Sequence, residues 1–317
     1  MSQPLSASPS TVKPLRLGTR RSPLAMAQAH EARARLAKAW GWDENLIELV
    51  PVLASGDKVQ DRPLAEIGGK ALWTKELDAC LADGRIDLAV HSLKDVETIR
   101  PSDIYIGAVL PRADVRDVLL GAPSIRAIPE GARVGTSAPR RAAQMLHRRP
   151  DVSIVPFRGN VATRMAKLAA GEADVTLLAA AGLERLGESG VGTPLALDDW
   201  LPAPSQGAIA IECRAGDRQV REWLAAIDHA PSRAEVMAER ALLAGLGGSC
   251  HSPIAVLTRH VGDHLAIRCA IYSADGLEMV EATVTAAVGD DEAPRRLAAD
   301  LLARASPAIG ALFAGPE

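Results

Sequence analysis

Aromatic side chains are scarce in this chain, with two Phe, two Tyr and five Trp in 317 residues. That leaves the core to Ala, Leu and Val, and few rings for stacking the bases of a single-stranded nucleic acid. Net charge is small too, −3 from 36 basic and 39 acidic side chains, which excludes the extended basic field that phosphate-backbone binding requires. There are four cysteines, Cys80, Cys213, Cys250 and Cys269, with neither a CxxC pair nor Cys/His spacing suited to zinc, so no metal is expected. The longest uncharged apolar run, Val175 to Leu183, is half the length of a membrane-spanning helix. Residues 1–14 (MSQPLSASPSTVKP) lack the apolar stretch of a secretory signal and read as a disordered tail. Together these absences place the chain in a reducing cytoplasm with free thiols, without nucleic-acid or membrane partners.

What is present is an alternating α/β grammar. Leu15 to Leu17 reads as a strand, and Ser22-Pro23 then opens an Ala-rich helix through Trp40, Ser being a preferred N-cap and Pro a preferred first helical residue. The same order recurs at Val134-Gly135-Thr136-Ser137-Ala138-Pro139, leading into Arg140 to His147. A second matched pair is Gly68-Gly69-Lys70, opening a helix to about Gly84 before the strand at Asp87 to Val90, and Gly159-Asn160, opening one to about Gly171 before the strand at Asp174 to Leu178. Two copies of this arrangement predict two related α/β lobes, and the loop Leu201 to Gly207 with the strand Ala208 to Cys213 reads as a return between them. From 227 to 317 the pattern is a helix (Arg233 to Leu243), a Gly-rich loop, two or three strands and a last helix from Ala293 to Arg304, a smaller α+β domain. Ligands of open α/β sheets bind at the carboxyl ends of strands, where helix N-termini present free N–H groups to anions, so the site is expected between the lobes.

Three features carry candidate chemistry. Cys80, Cys213 and Cys269 lie inside helical or strand patterns, ordinary places for a small buried hydrophobe, whereas Cys250 follows the Gly245-Leu246-Gly247-Gly248-Ser249 loop. An inert loop thiol and a reactive one both suit that position. In Asp87 to Asp95 (DLAVHSLKD) a strand runs into Lys94-Asp95 at its carboxyl end, where a carboxylate can move protons or stabilise a developing cation; a solvated ion pair is the competing reading. His91 reads as a structural histidine. Arginines then mark helix starts and turns: Arg20, Arg21, Arg140, Arg141, Arg158 and Arg164. Guanidinium suits bidentate recognition of carboxylate or phosphate. The chain holds 29 Arg against 7 Lys, so coding bias accounts for most arginines and position must single out the rest. Arg148 and Arg149 sit near a helix end and read as structural. Ile67-Gly68-Gly69-Lys70-Ala71 lacks the first Gly and final Ser/Thr of a P-loop, and Gly245-Leu246-Gly247 lacks the third Gly of a dinucleotide fingerprint.

These segments, LGTRRSPLA, GDKVQDRPLAEIGGKALWTKEL, DLAVHSLKDV, VGTSAPRR, FRGNVATR, PSQGAIAIEC and the Cys250 loop followed by SPIA, resemble in order and spacing the porphobilinogen deaminase family from about Leu15 onward. The resemblance implies two periplasmic-binding-protein-like lobes, 15–110 completed by a returning segment 207–226 and 111–206, plus a small C-terminal domain. It also implies a monomeric transferase that joins four porphobilinogen molecules head to tail with loss of ammonia, and releases hydroxymethylbilane by hydrolysis in tetrapyrrole biosynthesis. The implied cofactor is dipyrromethane, held by a thioether to Cys250. Asp95 takes the catalytic position, stabilising positive charge and shuttling protons. By position, Asp57, Lys94, Thr136, Ser137, Arg140, Arg141, Arg158, Asn160 and Gln206 would bind the cofactor, and Arg20, Ser22, Lys70, Arg158 and Arg164 the substrate. Departures from the family pattern are Ala138 for a second Ser, Trp73 for Phe, Ser249 in the cofactor loop and Glu66 for Lys. A non-catalytic two-lobed binder of anionic solutes and a cysteine-dependent acyl transferase remain as alternatives; for the latter no positioned base can be named.

Overall fold

The computed structural model describes residues 8–54 and 74–313. Of the positions singled out above, Asp57, Glu66, Lys70 and Trp73 lie outside the described residues. The described chain is mixed α/β and divides into two compact units, one formed by residues 8–54, 74–112 and 208–233, the other by 113–207 and 234–313. No helix among the described residues is long and apolar enough to cross a membrane.

In the first unit, β1 (Leu15–Arg20) leads through Ser22 into the helix Pro23–Trp40. The Ser22 hydroxyl accepts the Ala25 N–H at 3.3 Å and Pro23 takes the first helical position, the start the sequence predicted. β2 (Ile47–Val52), β3 (Leu88–Ser92), β4 (Ile104–Val109) and the returning β10 (Ile209–Arg214) complete a five-stranded sheet in the order β2-β1-β3-β10-β4. β1 runs parallel to β2 and β3, whereas β10 is antiparallel to β3 and β4. Leu17 and Leu88 in the sheet and Leu36 on the helix are all but fully buried in one cluster, a burial that contributes roughly 1.5–3 kcal/mol per side chain.

The second unit repeats the plan. β5 (Asp117–Leu120), β6 (Arg133–Gly135), β7 (Ser153–Val155), β8 (Val175–Ala179) and β9 (Thr193–Pro194) form a sheet in the order β7-β6-β8-β5-β9. Here β6 is parallel to β7 and β8, and β5 is antiparallel to β8 and β9. In both sheets three parallel strands stand in the order second, first, third, and an antiparallel strand out of chain order separates the third from the fifth. The apolar run Val175 to Leu183 is split between β8 and the short helix Ala180–Arg185.

The same unit holds a second, three-stranded antiparallel sheet, β11 (Ile254–Val261), β12 (His264–Tyr272) and β13 (Met279–Ala287), packed with the helices Ala230–Gly245 and Glu292–Arg304 around its own apolar cluster. The helix expected over 233–243 is longer by three residues at its start and two at its end. A further cluster joins Ala143 and Leu201 to Ala255, Leu257, Ala270 and Tyr272.

Candidate functional site

The first unit presents its candidates at the carboxyl ends of β1 and β3. Arg20 ends β1, and Ser22 caps the following helix. β3 ends at Ser92, and one turn of 3-10 helix, Leu93–Asp95, follows. This turn is tied on both sides. Gln28, on the helix after β1, exchanges hydrogen bonds with the Ser92 hydroxyl at 2.8 and 3.2 Å, and the Leu93 N–H donates to the Ala208 carbonyl. Beyond the turn, Glu97 accepts from the Thr74 hydroxyl at 2.8 Å and from Arg100 at 2.5 Å. Lys94 and Asp95 are both half-buried. Among the described residues no hydrogen bond or ion pair engages the Asp95 carboxylate.

A buried ionic cluster stands behind that turn. Arg100 contacts Glu212 on β10, Asp78 on the helix Lys75–Ala82, and Glu97. His91 Nε2 lies 3.2 Å from Glu212. Burial pushes the Glu212 carboxyl up, yet the His91 ring and the Arg100 charge outweigh it and hold the group at about 2.

In the second unit β6 leads to Thr136, Ser137 and the helix Pro139–Arg148. Gly135 is required at the turn, because a Cβ there would stand 2.7 Å from the Phe157 ring. The Thr136 hydroxyl accepts the Ala138 N–H at 3.2 Å and the Ser137 hydroxyl accepts the Phe157 N–H at 3.0 Å, so both are engaged by backbone. Ala138 caps the helix without a side-chain bond. Asn160 caps the helix Val161–Ala169 by accepting the Thr163 N–H at 2.8 Å, and Arg164 Nε donates to the Gly159 carbonyl at 2.9 Å. Arg158 is half-buried just before that glycine.

Arg140 and Arg141 open the helix after β6. Both are buried, and both donate to Asp117, at 2.9 and 2.7 Å. Arg140 also donates to the Leu201 carbonyl and Arg141 to the Leu177 carbonyl. Asp117 further accepts from the Trp200 indole at 2.8 Å and from Gln206 at 3.0 Å. Burial alone would raise the Asp117 carboxyl, but the two guanidinium charges hold it far below the ordinary carboxylate range. Two guanidiniums thus share one carboxylate, and the Nε of each is buried without a hydrogen-bond partner. Such a pair fits a ligand bearing carboxylates. Sequence reasoning missed Asp117; the signal available was an acidic residue opening the apolar run Val118-Leu119-Leu120.

Cys250 lies on the loop that ends the helix Ala230–Gly245. The Gly248 N–H donates to the Leu243 carbonyl, the Ser249 N–H to the Ser252 hydroxyl and the His251 N–H to the Ser249 hydroxyl. Cys250 is exposed, whereas Cys80, Cys213 and Cys269 are buried, and none of the four is in a disulfide. Burial pushes the Cys213 thiol up to about 11 and the Cys269 thiol higher still.

Comparison with known proteins gives matching descriptions. The family model "Porphobilinogen deaminase, dipyromethane cofactor binding domain" matches residues 15–222, and "Porphobilinogen deaminase, C-terminal domain" matches 233–303. The chain is 56% identical over 307 residues to porphobilinogen deaminase of Sphingopyxis alaskensis, covering 95% of this chain and 97% of that protein. It is 47% identical over 303 residues to the protein of that name from Nitrobacter winogradskyi, covering 94% and 96%. Among solved structures, the periplasmic VFT2 domain of Bordetella pertussis BvgS aligns with a TM-score of 0.41 at 16% identity, over 72% of this chain and 92% of that one. A periplasmic His/Glu/Gln/Arg/opine family-binding protein from Silicibacter pomeroyi aligns with a TM-score of 0.36 at 18% identity, over 72% and 94%.

Proposed function

The chain belongs to the porphobilinogen deaminase family, and from that premise we propose that Asp95 is its catalytic carboxylate and Cys250 the attachment point of its dipyrromethane cofactor. The enzyme is a transferase that joins four porphobilinogen molecules head to tail with loss of ammonia and releases hydroxymethylbilane by hydrolysis. The family match favours catalysis over a non-catalytic anionic-solute-binding module.

The observation that carries the assignment of the cofactor is the exposure of Cys250, when the other three thiols are buried. A thioether needs an accessible thiol, and Cys213 and Cys269 are disfavoured as thiolates by burial. When bound, the dipyrromethane supplies the primer to which pyrrole units are added. Its acidic groups match the paired arginines: Arg140 and Arg141 hold more positive charge than Asp117 neutralises, and each keeps a buried N–H to offer. Lys94, Thr136, Ser137, Arg158, Asn160 and Gln206 belong to the same reading as cofactor contacts, with Arg20, Ser22, Arg158 and Arg164 as substrate contacts. Asp57 and Lys70 are retained on the resemblance alone.

Asp95 suits its role because its carboxylate is half-buried and engaged by no other described residue. It stabilises positive charge as ammonia departs, and it holds or releases a proton at its oxygens. The ties at Ser92 and Glu97 limit how far the turn can move, and so preorganise the charge.

The same reading makes the enzyme a cytoplasmic monomer with a small-molecule substrate and no nucleic-acid or membrane partner. Four cysteines outside disulfides and a net charge of −3 support it. It also retains the division into a tail 1–14, lobes 15–110 with 207–226 and 111–206, and a domain 227–317. The separate apolar clusters under the second and third sheets support that division.

The test is covalent. The intact mass of the purified protein is expected to exceed the sequence mass by a two-pyrrole unit, and Cys250→Ser to abolish the excess. An active protein whose Cys250 is unmodified and titrates fully as a thiol overturns the assignment.

A further inference from the structure

We propose that Glu239 is a positioning residue of this site: by holding the Ser205 N–H, its buried carboxylate fixes a left-handed turn that sets Gln206 against Asp117 and so orients the Arg140–Arg141 pair. The proposal rests on the functional reading above, and deepens it by naming what holds the arginines in place.

Among the described residues Ser205 is the one non-glycine with a left-handed backbone, φ 59. A residue with a Cβ occupies that region at a cost, so something must hold it there. The hold is visible. The Ser205 N–H donates to Glu239 Oε2 at 2.6 Å, a short charge-assisted bond, and both residues are buried. The next residue, Gln206, is fully buried, and both hydrogen bonds from its amide nitrogen are committed: to the Val115 carbonyl at 2.7 Å and to Asp117 Oδ1 at 3.0 Å. Asp117 Oδ1 also receives Arg141, while Oδ2 receives Arg140 and Trp200. A chain of bonds therefore runs from Glu239 through one backbone turn to both guanidiniums.

Placement adds a second argument. Glu239 lies on the helix Ala230–Gly245, which ends in the loop carrying Cys250. One rigid helix thus fixes the cofactor's attachment point at its end, and through Glu239 the arginines that receive the cofactor's acidic groups. A buried carboxylate is costly unless its bonds are made, so its presence marks a required contact rather than filler.

The experiment compares wild type, Glu239→Ala, Ser205→Gly and the double variant, reading three quantities on each purified protein. These are the fraction of chains carrying the two-pyrrole mass excess, KM against kcat for porphobilinogen, and the melting temperature. Glycine adopts φ 59 without the side-chain penalty, so Ser205→Gly alone stays at wild-type values. Glu239→Ala is expected to lower cofactor occupancy and to raise KM by about tenfold, the loss of roughly one well-made hydrogen bond, with kcat changed less. The double variant recovers most of both losses, which a role in stability alone would not produce. A Glu239→Ala protein that melts lower but keeps wild-type occupancy and KM overturns the proposal, as does a folded double variant no better than Glu239→Ala. If Glu239→Ala does not fold, Glu239→Gln keeps the shape and an acceptor while losing the charge; its smaller KM increase must again be relieved by Ser205→Gly. A wild-type protein with no mass excess and no hydroxymethylbilane instead sinks the functional reading itself.

Discussion

The Arg100 guanidinium grips the Glu212 carboxylate with two prongs, Nε to Oε1 and Nη2 to Oε2, each at 2.9 Å. Glu212 stands opposite Ala89 on β3, the strand that leads to Asp95, so this pair ties the returning strand to the segment just past the Leu93–Asp95 turn. Asp78 and Glu97 complete the set of acidic partners around Arg100. Three carboxylates around one cation are tolerable here because His91 and Thr74 supply further contacts.

Replacing Arg100 by Leu leaves Glu212 buried without its two-pronged partner. Breaking a buried pair from one side costs about 3–5 kcal/mol, and the melting temperature is expected to fall by about 10 °C. Arg100→Lys keeps the charge but not the fork, and should fall between. A thermal melt of Arg100→Leu within about 2 °C of wild type would show that the cluster contributes little.

His91 and Arg100 together give Glu212 a pH dependence. Glu212 titrates at about 2 in the folded protein, below its ordinary 4.5. A depressed carboxyl contributes its full stability above pH 4.5, and that contribution is lost as the pH falls towards 2. Glu212→Gln removes a linkage worth roughly 3 kcal/mol, so its stability declines less steeply across this window than wild type. Urea unfolding at a series of pH values measures the difference, and parallel acid limbs would contradict it.

Gly276 lies in the turn between β12 and β13, with φ +71, and a Cβ there would stand 2.5 Å from the Ala143 carbonyl oxygen and 2.7 Å from the His147 nitrogen. The turn is fastened to the arginine-bearing helix by the His147 Nδ1 contact with the Gly276 carbonyl at 2.9 Å. Gly276→Ala should therefore cost clearly more than about 1 kcal/mol and also lower cofactor occupancy. Gly262→Ala provides the control: φ is +58 there, but no atom lies within 4 Å of the new Cβ, so only the conformational penalty applies. Equal urea midpoints for the two variants would refute the steric account.

Asp95→Asn keeps the size of the side chain and removes its charge and proton affinity. The fold should be retained, with an unchanged melting curve, while kcat for hydroxymethylbilane formation falls by roughly 10² to 10⁴. Near-normal turnover would reassign the catalytic carboxylate.

Much of this was legible in the chain itself. Ser22-Pro23 and Asn160 announced helix starts that the structure holds to the residue, because a cap is a contact within three or four positions. The duplicated strand-turn-helix order predicted two α/β sheets, and both have the same strand order. Asp117, which opens β5, carries no signal that separates it from any other acidic residue beside an apolar run. Arg140 and Arg141 were recognised as a pair, but their shared partner lies 24 residues away from Arg141, beyond the reach of any local signal.

What the sequence determined by itself was therefore the family, the α/β alternation, and the placing of Lys94-Asp95 after a strand and Cys250 after glycines. Hydrophobic period, caps and motif order are properties of neighbouring residues, and neighbours are what a sequence displays. Only the tertiary structure decided which charges are neutralised. Asp117 meets two arginines, Glu212 meets a cation 112 residues away, and Glu239 reaches Ser205 across 34 residues. Those pairings follow from strand order and helix packing, and burial then makes them strong, because a charge removed from water must find its partner within the fold.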